Sequence, residues 1–207
     1  MEQYPLRLAV LGDSLAYGTG AARPADTLGP RLSAALRAAG HAVDLHVVAV
    51  PGATSLDLTA QVRRLAAVGA DLAVVVVGAN DVPRMVPPER SAAVLGTAVA
   101  ALRAAGTTVV VVPAPDLSTV PWVPPALRAG LRTACAELQR RQAAVAEAAG
   151  ALVAPVAPAL SAAFATDPAL FSADRFHPSS AGYARIAAAL APYVLDAARE
   201  RRDASAA

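Results

Sequence analysis

Three residues of this 207-residue chain have the side chains for nucleophilic catalysis: a serine near one end, Ser14, and an Asp–His pair near the other, Asp174 and His177. A serine hydroxyl is a weak nucleophile until an imidazole takes its proton. The imidazole in turn needs a carboxylate to fix its tautomer and stabilise its cation. With Asp174 and His177 three apart, one tight turn can aim the carboxylate at one ring nitrogen and leave the other facing Ser14. Pro178 would stiffen the exit from that turn, and Ser179 or Ser180 would cap a following helix. A tetrahedral intermediate also needs donors for its oxyanion. The Ser14 N–H, the Gly52 N–H and the Asn80 side-chain amide are candidates. Glycine leaves a backbone donor unobstructed, and asparagine offers an N–H without a competing charge.

These residues must be brought together from across the chain, and the sequence contains elements that could do it. Valine-rich runs recur as LRLAVL from Leu6, VDLHVVAV from Val43, DLAVVVV from Asp71, TTVVVV from Thr107 and a weaker ALVAPV from Ala151. Runs that are apolar on both faces suit parallel strands buried between helices. Alanine- and arginine-rich segments with helical spacing lie between them, at roughly 27–39, 57–68, 90–105, 126–149 and 180–198. Gly40, Gly69, Gly106 and Gly150 stand where C-terminal caps belong. This alternation predicts an α/β fold, a three-layer α/β/α sandwich around a doubly wound, five-stranded parallel sheet of flavodoxin-like type. Ligands of such folds gather at the carboxyl ends of strands. Gly12-Asp13-Ser14-Leu15, Pro51-Gly52-Ala53 and Gly78-Ala79-Asn80-Asp81 follow the first three strands, and Asp174 to Tyr183 lies beyond the fifth.

This constellation resembles the SGNH subgroup of the GDSL family of serine hydrolases. The four residues behind that name match Ser14, Gly52, Asn80 and His177. The first block reads GDSL, the third GAND and the last DRFHP. The resemblance spans Gly12 to about Tyr183 and implies an α/β/α sandwich with five parallel strands. It implies Ser14 as nucleophile and oxyanion donor, Gly52 and Asn80 as further donors, and Asp174 and His177 as the rest of a triad. The expected reaction is carboxylic ester hydrolysis through an acyl-enzyme on Ser14. Acyl transfer or thioester hydrolysis would use the same triad. A non-catalytic lipid- or sugar-binding module on the same scaffold is the alternative of a different class.

Composition narrows the field. Hydrophobic residues make up 56% and charged residues 16%, which excludes disorder. One domain is expected over 1–198, with a frayed tail at 199–207. The net charge of +2 is dispersed, which argues against nucleic acid. All 18 basic residues are arginine, so no lysine is present for a Walker loop or a Schiff base. The Gly18 and Gly20 segment lacks the dinucleotide pattern, and no Gly-X-Ser-X-Gly elbow surrounds Ser14. No metal site or other cofactor is readable, and a small-molecule ester is the expected partner. Cys135 is alone and reads as a small buried side chain. With no secretory signal evident, the expected location is cytoplasmic. Pro155 and Pro158 interrupt the longest charge-free stretch, Ala148 to Thr166, so no membrane-spanning segment is expected. His41 and His46 lie away from the carboxyl end of the second strand and read as structural. Asp13 and Asp81 read as partners for loop backbone. The proline-rich segment 113–125 is a loop that either roofs the site with Trp122 or carries Trp122 as a packed surface aromatic.

Overall fold

The computed structural model describes residues 4–206. Five strands, β1 (Leu6–Gly12), β2 (Val43–Val47), β3 (Leu72–Val76), β4 (Thr108–Val112) and β5 (Leu152–Val153), form one parallel sheet in the order β2-β1-β3-β4-β5. The helices among the described residues are α1 (Ser14–Tyr17), α2 (Leu28–Ala38), α3 (Leu58–Leu65), α4 (Pro88–Ala104), α5 (Pro125–Ala148), α6 (Ala157–Thr166) and α7 (Ser180–Ala206).

Side chains of a strand alternate between faces, so each central valine run feeds two cores. Leu8, Val10, Val74, Val76, Val110 and Val112 pack under α2 and α7. Ala9, Leu11, Ala73, Val75, Val109 and Val111 pack under α3, α4 and the end of α5. The expected three layers are therefore present. The strand order reverses between β1 and β3, and in such sheets the crevice at that reversal is the natural ligand position.

Three differences from the sequence reading have local causes. β2 is an edge strand and only half-buried. Its regular ladder stops at Val47, although Val48 and Val50 still donate to Val10 and Gly12. β5 is cut to two residues just ahead of Pro155. α6 has no counterpart among the expected helices; its Pro158 lies in the first turn, where a missing N–H costs nothing. α7 extends through Ala206. Arg201 docks there, donating to Gly106 O at 2.9 Å and Asp71 Oδ1 at 3.2 Å. None of the helices among the described residues is long and apolar enough to cross a membrane.

Candidate active site

Ser14 begins α1 directly after β1. Asp13 caps that helix by accepting the Leu15 N–H at 3.0 Å. As the first helical residue, Ser14 offers an N–H that the helix itself cannot satisfy, and the residue is only 7% exposed. The corner is held from below by Gln61 of α3. Its amide donates to Gly12 O and accepts from Gly12 N–H, both at 2.8 Å, and Gly12 O accepts from Val50 N–H as well.

The Asp174–His177 pair comes from a tight turn between α6 and α7. Ser172 N–H donates to His177 O at 2.8 Å, and Arg175 adopts a positive φ of 56° at the bend. Asp174 Oδ1 accepts from Ser172 Oγ and from the N–H groups of Phe176 and His177 at 2.8–2.9 Å. Its Oδ2 lies 2.6 Å from His177 Nδ1, and His177 Nε2 lies 3.0 Å from Ser14 Oγ. With Nδ1–H donating to Asp174, Nε2 is the acceptor that faces the serine. Burial acts to raise the Asp174 pKa, but the bonds from His177, the two backbone N–H groups and Ser172 hold it well below the usual carboxylate range. Ser179 then caps α7, accepting from Gly182 N–H at 3.2 Å.

The serine corner and this turn are fitted together by Gly20. It has a φ of 95°, and a Cβ there would stand 2.8 Å from His177 Cβ and 2.6 Å from Pro178 O. Tyr183, buried under α1, donates to Thr19 O at 2.8 Å and fixes the same segment.

The two remaining loops are tied to Ser14 by the flanking aspartates. Asp13 Oδ2 accepts the N–H groups of Gly78 and Ala79 at 3.2 and 3.3 Å, which joins the ends of β1 and β3. Asp81 accepts from Ser55 N–H and Ser91 Oγ, which joins the β3 loop to the β2 loop and α4. Asn80 Nδ2 donates to Ala53 O at 2.9 Å and so lies against the Gly52 turn with its second N–H uncommitted to that bond. Gly52 has a φ of 80°, and a Cβ there would meet only Arg84, at 3.6 Å. The conformation of the turn, rather than lack of space, calls for glycine. Burial pushes the Asp13 carboxyl up to about 6 against the pull of its three backbone donors.

The 113–125 loop forms one wall of the crevice. Trp122 packs on Phe176 with ring centroids 5.7 Å apart, and Phe176 sits edge-on to His177 at 4.9 Å, yet Trp122 remains 58% exposed. Gln142 of α5 anchors this loop by accepting from Ala114 N–H and donating to Val77 O. Gln61 and Gln142 were not singled out in the sequence, but each occupies a buried helical stripe otherwise made of apolar residues. His46 Nε2 lies 3.1 Å from Asp44 Oδ2, and Cys135 is buried. Among the described residues no cluster of histidine, cysteine and carboxylates could hold a metal ion.

Comparison with known proteins supplies a lineage for this arrangement. The chain is 36% identical over 204 residues to the GDSL-like esterase Rv1075c of Mycobacterium tuberculosis, across 97% of its own length and 65% of the relative's. Among solved structures it resembles TesA, with a TM-score of 0.75 and 22% identity over 92% of this chain and 99% of that one. It also resembles the acetylxylan esterase Axe2 of Geobacillus stearothermophilus, with a TM-score of 0.72 and 23% identity over 93% and 95% of the two chains. At such identities the structural matches speak for the fold. The model of the GDSL-like lipase/acylhydrolase family matches residues 10–185, from within β1 to within α7, and the chain belongs to that family.

Proposed function

We propose that this protein is a serine hydrolase that cleaves carboxylic esters through an acyl-enzyme on Ser14. One observation carries the reading: His177 Nε2 stands 3.0 Å from Ser14 Oγ while its Nδ1 stands 2.6 Å from Asp174. His177 takes the Ser14 proton as Oγ attacks the ester carbonyl, and the Asp174 carboxylate stabilises the imidazolium. The oxyanion is received by the N–H groups of Ser14 and Gly52 and by the Asn80 amide. The intermediate collapses as His177 returns the proton to the departing alcohol. Water, deprotonated by the same imidazole, then releases the acid. Membership of the GDSL-like family and the esterases among the relatives support this reading. The test is hydrolysis of p-nitrophenyl acetate by wild type and Ser14→Ala. The variant should fold normally and lose roughly four to six orders of magnitude in turnover. Retained turnover would remove Ser14 as the nucleophile.

A further inference from the structure

A cavity of about 100 Å³ opens beside Ser14 and extends beneath α6. Its wall starts at Ser14 and His177, passes Val76 and Val112 at the ends of β3 and β4, and includes Leu160 and Phe164 of α6. The single carboxylate in the lining, Asp116, is engaged elsewhere: Oδ1 accepts the Ser118 N–H at 2.9 Å and Oδ2 lies 3.8 Å from Arg132. The rest of the lining is overwhelmingly apolar.

The helix over this cavity is unusual for a globular chain. No ionisable residue occurs from Ala148 to Thr166, and none of the ten residues of α6 is fully buried. Leu160 and Phe164, one turn apart on the same stripe, pack against the core with one side and line the cavity with the other. On the cavity side they forgo dispersion contacts that an apolar guest would restore. Phe164 is held edge-on by Phe171 at 5.0 Å, so this part of the wall has a defined position.

We propose that this cavity receives the hydrocarbon chain of the acyl group, and that Leu160 and Phe164 set the longest chain accepted. The assignment rests on Ser14 as nucleophile. The cavity adjoins Ser14, and after the first half-reaction the acyl group is the part that stays bonded to Oγ. The alcohol must leave, and an apolar recess under a helix suits the retained group better than the departing one.

The experiment is kcat/KM on p-nitrophenyl esters from acetate to palmitate for wild type, Phe164→Ala and Leu160→Phe. Each series is normalised to that protein's own acetate value and to active sites titrated with an organophosphonate. In the wild type, each methylene that enters should raise kcat/KM about fourfold until the wall is met. Phe164→Ala should move the break to longer chains and Leu160→Phe to shorter ones. Because Leu160→Phe fills space instead of hollowing it, it carries the test if Phe164→Ala folds poorly. An unchanged break in the folded variants would overturn the proposal. So would a response confined to a parallel series of acetate esters with lengthening alcohols. Acetate hydrolysis that survives Ser14→Ala would instead overturn the proposed nucleophile.

Discussion

Asp13 offers a test of how the serine corner is held, because its charge is costly and its contacts are specific. The residue is 1% exposed, and its carboxylate takes three backbone N–H groups from two loops. Burial still pushes its pKa from 3.8 up to about 6. The folded chain thus binds this proton more tightly than the unfolded chain does. Its stabilising contribution is fully present below about pH 4 and is lost as pH rises through about 6. The whole difference amounts to roughly 3 kcal/mol, of which about 2 kcal/mol returns between pH 7.5 and pH 4.5. Asp13→Asn removes the titration and leaves at least one buried N–H facing an amide nitrogen, a cost of about 1–3 kcal/mol that does not vary with pH. Thermal unfolding of both proteins at pH 4.5, 6 and 7.5 separates the two effects, since other groups titrate alike and cancel in the difference. The wild type should gain on the variant by about 4–8 °C in Tm from pH 7.5 to 4.5. A Tm difference that is flat across this range, or that runs the other way, would refute the argument that burial dominates at Asp13.

Asn80→Ala should lower turnover by roughly a hundredfold to a thousandfold on p-nitrophenyl acetate with little change in KM, as expected on loss of an oxyanion donor; an unchanged kcat would remove its amide from the site. Gly20→Ala forces a side chain into a positive φ and against His177 and Pro178, so it should cost about 1–3 kcal/mol in stability. It should also slow organophosphonate labelling of Ser14, and normal labelling would show that the His177 turn does not lean on Gly20. Gln61→Met keeps the volume but strands the Gly12 N–H, while Gly12 O still accepts from Val50 N–H, and chemical denaturation should show a loss of about 1–3 kcal/mol. Wild-type stability in that variant would mean that Gly12 finds other partners.

The central strands were legible because their valine runs are apolar on both faces, which only a buried parallel strand requires. The edges were harder. β2 exposes half its residues, so its boundary depends on which neighbour it pairs with, and β5 is too short to have a period. α6 was hidden by Pro155 and Pro158, residues that interrupt a long helix but are permitted before one and in its first turn. Arg201, near the end of α7, reaches Asp71, a contact 130 residues away in sequence that no local pattern announces. The candidate site was legible residue by residue, since Ser14, Gly52 and Asn80 each follow a strand. The sequence could not show that Asp13 would take the N–H groups of Gly78 and Ala79, because that depends on β1 and β3 being neighbours.

That adjacency also explains why the two halves of the site are built differently. Ser14, Gly52 and Asn80 sit on loops from three strands, and a loop alone would leave the proposed donors free to drift by more than the proposed catalysis tolerates. Here each loop is tied by a side chain from another segment: Gly12 by Gln61, the β3 loop by Asp13, and the β2 loop by Asp81 and Asn80. The charges involved are expensive to bury, but their bonds go to backbone groups that would otherwise be unpaired. The Asp174–His177 half needs no such long-range ties, because its turn is closed by its own carboxylate and backbone. It only has to be seated, and Gly20 and the Ser179 cap do that. Rigidity is therefore concentrated where the proposed mechanism needs fixed donors to meet an oxyanion, and His177, its proposed proton carrier, is held by a short local turn.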